Sequence, residues 1–166
     1  KVFFPPETAI FGSALALGVQ SAIEAAVLIL VMILIANVGL TTLVLPIILV
    51  LAGLFGLGIG FFVCVFNTHY RDVQYLVGII LNALFFLVPI VYPISIIPEA
   101  HWGIPIRKMI EYNPVNQFVA AARESAYLLE WSSWNRWALI IFYSVASFAL
   151  GWRFFNKRSM QLSEDM

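Results

Sequence analysis

The chain has 166 residues, 62% of them hydrophobic and only 11% charged, with a mean hydropathy of +0.95 and no net charge. That balance excludes a soluble globular domain, and nine scattered basic residues give no footprint for nucleic acid. It describes an all-α integral membrane protein, read as a single transmembrane domain over residues 1–166. The lone cysteine, Cys64, lies in an apolar run, cannot form a disulfide within the chain, and reads as a small packing residue. The first residue is Lys1 and no signal peptide precedes the first apolar run, so the chain is read as starting part-way along a longer protein.

The lead-in Lys1–Glu7, KVFFPPE, combines interfacial aromatics with two prolines that cannot continue a helix and an acid placed where one begins. A first span is expected over about residues 9–37. Glu24 interrupts it, and a carboxylate in mid-span costs about 2.5–3.5 kcal/mol on insertion scales, so it should face protein or water. A pathway residue and a hydrogen-bonded glutamate in the bundle interior both satisfy that requirement. Asn37-Val-Gly39 marks a turn, and a second span follows over about 43–66. Gly56 and Gly60 have the GxxxG spacing that lets another helix backbone approach closely.

The pair Arg71-Asp72 carries the only Asp, Glu, Lys or Arg between Glu24 and Glu99. After it runs a charge-free stretch of 26 residues, Val73–Pro98, in which a third span is expected over about 73–91 with Asn82 buried midway. Pro89, Tyr92 and Pro93 force an irregular exit, which is tolerated at membrane depth only inside protein or beside a water-filled cavity. Arg71 and Asp72 read either as a coupling contact or as a basic anchor next to a capping acid. His69 and His101 fall in loops on opposite sides, so neither metal nor cofactor binding is expected.

From Pro98 to Trp134 the chain is at its most polar. Asn113 is placed to cap a helix whose first position is Pro114. Val115, Phe118, Val119, Ala122, Ala126 and Leu129 share one face of it, with Asn116, Gln117, Arg123, Glu124 and Glu130 elsewhere. This predicts short amphipathic or re-entrant helices between the third span and a last one over about 135–153. Trp131, Trp134 and Trp137 crowd one membrane boundary, and Arg153, Lys157 and Arg158 follow the last span. Four spans put both ends on one side, and the basic tail with the Arg71 turn favours the cytoplasm.

In the order FFPPE, FNTHYRDV, FFLVPIVYPISIIPE and EYNPVNQFVAAARES, the sequence resembles the membrane subunit of bacterial ABC-2 type exporters. The resemblance is to the branch that exports polysaccharides and polyol phosphates such as O-antigen, capsule and teichoic acid. It implies a permease of six spans in the bacterial inner membrane, paired as a homodimer and driven by two copies of a cytoplasmic ATPase. ATP and magnesium would bind to that partner, and the permease itself would be no enzyme. On this likeness the family's N-terminal amphipathic helix and first two spans are missing from the chain. Phe4, Pro5, Glu7, Arg71 and Asp72 would contact the ATPase, while Pro89, Tyr92, Pro93, Asn113, Pro114 and Arg123 would form an outer re-entrant gate. Glu24, Asn82, Phe85, Phe86, Tyr92 and Phe118 are candidates to line the path, their aromatic faces suited to sugar rings; ordinary helix packing is the alternative for each. An ABC-2 exporter of a drug, lipid or other small amphiphile, a scaffold that transports nothing, and a membrane-embedded transferase are the competing readings. The sequence holds no P-loop and no nucleophile with a base that would allow the chain to hydrolyse ATP.

Overall fold

The structure, a computed structural model, describes residues 6–70, 72–90, 92–99 and 105–162, with side chains left aside at Pro6, Glu7, Ala9 and 159–162. Among the described residues there is no strand. Helix α1 runs Pro6–Leu34, α2 Leu45–His69 and α3 Val73–Leu87. The short helices α4, Ile106–Glu111, and α5, Pro114–Arg123, precede a π turn, Glu124–Leu128, and α6, Trp134–Leu162.

Among the described residues, three segments are long and apolar enough to cross a membrane: Ile10–Leu34, Leu40–His69 and Trp134–Arg158. Helix α3, expected to span over 73–91, stops after 15 residues. Pro89 explains the stop, because the residue before a proline is driven out of the helical region. Val88 has φ −80° and ψ 131° accordingly. The turn expected at Asn37-Gly39 begins earlier. Ala36 takes a left-handed φ of 55°, and its N–H and that of Asn37 bond to the carbonyls of Ile33 and Met32 at 3.0 and 2.9 Å. This is a Schellman ending with alanine where glycine is usual.

The core is a parallel pair. Helices α2 and α6 run in the same direction, and equivalent positions meet along the whole contact. The Ser144 hydroxyl donates to the Leu51 carbonyl at 2.8 Å and that of Ser147 to Phe55 at 2.9 Å. Further along, Gly58 lies against Ser147 and Gly151, and Phe62 against Phe154 at 5.1 Å between ring centroids. Gly58 and Gly151 allow the approach, since a Cβ on the first would land on the Ser147 backbone and on the second on the Gly58 backbone. The GxxxG glycines Gly56 and Gly60, by contrast, have nothing within 4 Å of an added Cβ and face the groove between α1 and α2. The close contact uses the glycine between them.

Two apolar clusters fill this interface. Near the start of α2 and α6, Ile48, Phe118, Ala121 and Ile140 pack together, with α5 laid over the pair. Near their ends, Phe61, Val65 and Phe155 form the second cluster, and Phe61 meets the rings of Phe11, Trp152 and Phe155 at 5.8, 5.3 and 5.3 Å. Phe11 lies near the beginning of α1, so α1 is antiparallel to α2. The bundle therefore has a tail end, where α1 and α3 begin and α2 and α6 finish, and an α5 end opposite.

A parallel α2–α6 pair obliges the chain between them to return across the same distance. Helix α3 covers about 22 Å at about 1.5 Å per residue, and extended residues after it add roughly 3.3 Å each. That return brings Pro89 and Ile90 level with α5. Large apolar side chains on α1 and α3 stay exposed, including Leu34 at 77% and Phe86 at 75%, as expected of surfaces facing lipid or other helices.

Replacing Gly58 with alanine is expected to lower the thermal midpoint of the detergent-solubilised protein, by an overpacking cost of roughly 1–3 kcal/mol. Gly56→Ala, with open space around it, should leave the midpoint unchanged or raise it, since alanine favours a helix by up to ~1 kcal/mol over glycine. Equal midpoints for the two variants would contradict the α2–α6 contact.

Candidate functional site

The polar side chains of the α5 end converge on a single network. It starts from Asn113, whose Oδ1 accepts the Val115 N–H at 2.9 Å and caps α5 with Pro114 in its first turn. The next two side chains, Asn116 and Gln117, are buried at 4% exposure each rather than turned outward, because both amides donate to the Glu111 carbonyl at the end of α4. These bonds satisfy an orphan carbonyl of α4 and fold it back on α5. The other side of Gln117 accepts from Nε of Arg136, which also forms an ion pair with Glu124. Arg136 sits in the first turn of α6, so α4, α5, the π turn and α6 are joined.

Arg123 completes the site. Its Nη2 donates to the carbonyls of Pro89 and Ile90, both at 2.8 Å. These carbonyls follow the point where Pro89 interrupts the helical ladder, and a guanidinium is suited to hold two acceptors in fixed geometry. The exit is pinned further by Tyr92, whose hydroxyl donates to the carbonyls of Phe86 and Leu87 at 3.0 and 3.1 Å. Pro93 is exposed and precedes a short 3₁₀ turn, Ile94–Ile96. Beyond it Arg107 reaches back to the Ser95 carbonyl at 3.1 Å and to the Glu99 carboxylate at 3.3 Å. Of the residues singled out for a gate, Arg123 meets Pro89 and Tyr92 closes back on the end of α3, whereas Asn113 and Pro114 stand at the other end of α5, about 14 Å away at about 1.5 Å per residue.

The path candidates do not meet in the same way. Phe118 is packed in the core against Phe55 at 5.5 Å, which is the packing alternative for that residue. Asn82, Phe85 and Phe86 lie on the exposed surface of α3, not buried within the chain. Glu24 is exposed on α1 with the Gln20 amide donating to it at 3.0 Å, so within these residues it meets neither core nor a charged partner. Of the coupling candidates, Phe4, Pro5, Arg71 and the side chain of Glu7 lie outside the described residues. Asp72 is exposed at the start of α3, and its carbonyl accepts the N–H groups of Tyr75 and Leu76 at 3.1 and 3.2 Å. No cluster of three or more His, Cys, Asp or Glu is found among the described residues.

The model of the ABC-2 type transporter family matches residues 3–127, which is 125 of the chain's 166 residues. The chain belongs to the ABC-2 type transporter family. No curated protein and no solved structure gives a match. In ABC-2 terms the chain is an integral membrane permease domain, and the match takes in α1 to α5 and most of the π turn. Sequence reasoning missed Gln117, Glu124 and Arg136 as members of the network. A usable signal was there: charges flanking the apolar core of an interfacial helix call for partners, and Arg136 stands among tryptophans at the head of a span.

Arg123→Gln removes both bonds to the α3 exit. Hydrogen bonds from charged groups are worth about 1.5–3 kcal/mol, so amides at 92–97 should exchange with deuterium at least about tenfold faster than in the wild type. Amides within α2 should be unaffected. Unchanged exchange at 92–97 would show that Arg123 does not hold the segment.

Proposed function

We propose that the chain is the membrane subunit of an ATP-driven exporter that moves a lipid-linked polysaccharide or polyol phosphate across the bacterial inner membrane. It would work as a homodimer with two copies of an ATPase, which bind ATP and magnesium. The single observation that carries this reading is ABC-2 membership combined with the two ends of the bundle. The start of α1, Asp72 and the basic end of α6 belong to the tail end, while the proline-broken exit and its Arg123 clamp lie at the other.

On this reading the tail end is cytoplasmic, where Arg153 and Lys157 obey the positive-inside rule. Helix α3 with residues 88–90 serves as a fourth crossing, and the chain corresponds to the later spans of a six-span subunit. ATP binding would draw the ATPases together, press on the lead-in and on Asp72, and tilt the spans until the exit opens. The surface of α3 carrying Asn82, Phe85 and Phe86 would face the path between paired subunits. Glu24 would gain a polar surrounding from elements beyond this chain's own bundle.

A second reading, export of a lipid or small amphiphile, draws on the groove between α1 and α2. It measures ≈ 990 Å³, and its lining is apolar, with Leu17, Ala22, Leu49 and Gly56 among its residues. Those dimensions suit an acyl chain whether or not a glycan is attached to it.

The test is a pull-down of the full-length protein from mild detergent with assay of ATP hydrolysis. A nucleotide-binding protein should accompany the wild type, and the Arg71→Ala, Asp72→Ala double variant should lose it or uncouple its hydrolysis. A wild-type protein that purifies without any ATPase would overturn the exporter reading. Stimulation of hydrolysis by lipid-linked glycan, but not by a simple phospholipid, would favour the polymer over the amphiphile.

A further inference from the structure

The loop between α1 and α2 makes bonds that neither the gate nor the coupling face accounts for. The Thr41 hydroxyl, 5% exposed, donates to the Ser125 carbonyl at 2.9 Å, and the Asn37 amide donates to the Tyr127 carbonyl at 3.3 Å. Both acceptors lie in the π turn. A π turn closes i→i+5 bonds, so it strands carbonyls that an α-helix would have paired, and π turns are frequent at functional positions. Here Leu129 leaves the turn with a left-handed φ of 57°, the Glu130 N–H reaches back to the Glu124 carbonyl at 2.9 Å, and the loop supplies donors for two of the others.

The turn is also where everything at this end meets. The residue before it, Arg123, holds Pro89 and Ile90; its first residue, Glu124, is paired with Arg136 of α6. No described residue of Ile10–Leu34 is fully buried, so α1 is the span least restrained by the bundle. At its far end it is fastened to the turn through Asn37 and Thr41.

We infer that Thr41 and Asn37 are positioning residues that transmit movement of α1 to the exit at Pro89–Ile90 by way of the π turn. This rests on the exporter reading, in which the ATPase acts at the tail end of α1. A shift of α1 pulls on the carbonyls of Ser125 and Tyr127. The turn, whose bonding register differs by one residue from that of an α-helix, changes register, and Arg123 is carried away from the two carbonyls it holds. Coupling then runs through a two-state element, the turn, which both ends of the molecule bias.

The experiment uses the full-length protein with its ATPase in liposomes, in a Cys64→Ala, Ile90→Cys background. The readout is the rate at which a membrane-impermeant maleimide labels position 90, with and without ATP and vanadate. Trapping the nucleotide should change that rate by about fivefold or more, the lower end of common allosteric couplings. Thr41→Val, which keeps the shape and removes the donor, should abolish most of the change while ATP hydrolysis continues, and Thr41→Ser should restore it. Asn37→Leu, at a less buried position, should weaken the response in the same direction even if Thr41→Val proves poorly folded. A response of wild-type size in both Thr41→Val and Asn37→Leu overturns the linkage alone. Vigorous hydrolysis with no response at position 90 in the unaltered loop does the same. Absence of both hydrolysis and response overturns the exporter reading, and the linkage with it.

Discussion

Gly58 and Gly151 press two helix backbones together, and the remaining architecture follows from the direction in which those helices run. In a membrane, lipid is as apolar as leucine, so association depends on close packing and on hydrogen bonds between helices. The α2–α6 contact has both: two glycines without side chains in the way, and Ser144 and Ser147 donating to carbonyls of α2. Because the pair is parallel, the chain must travel back between its members. The return leg is α3, and the place where it arrives is set by Pro89.

That arrival carries a cost the sequence incurs and the fold offsets locally. Stopping a helix leaves the carbonyls of its last turn without partners, each costing several kcal/mol if left in an apolar surrounding. Tyr92 bonds to two carbonyls of the last turn, those of Phe86 and Leu87, and Arg123 holds the two just after it, those of Pro89 and Ile90. The guanidinium can serve there because α5 is itself fixed, by the Asn113 cap, by the Asn116 and Gln117 bonds to α4, and by Arg136 at the head of α6. The broken exit is therefore held by side-chain hydrogen bonds rather than by a helical ladder.

Much of this could be read beforehand. Of the four spans expected from the apolar runs, three are matched to within about five residues of their ends and the one over 73–91 is not, while Asn113-Pro114 announced a capped helix that is present as expected. What was missed depends on partners remote in sequence. Asn116 and Gln117 look like surface residues on a helical wheel, yet they are buried because the Glu111 carbonyl waits for them. The GxxxG pair Gly56 and Gly60 drew attention away from Gly58, since spacing along one helix cannot say which face meets α6. The early end of α1 at Ala36 left no glycine to mark it, and α3 is shorter than its hydropathy implies because the run of apolar residues continues unbroken past Pro89. Phe118 shows the limit for single aromatics, which the sequence offers equally to a path and to a core.

The parallel register of α2 and α6 is the claim on which the return of the chain along α3, the two ends and the position of the Arg123-held exit all depend, and cross-linking tests it directly. In a Cys64→Ala background, cysteine pairs would be placed at Ile48 with Ile140, near one end of the bundle, and at Phe62 with Phe154, near the other. Both pairs should be joined by a short bis-maleimide in native membranes, because both are neighbours along a parallel contact. If one pair or neither cross-links, α2 and α6 are not parallel neighbours, and the placement of the exit opposite the tail end falls with them.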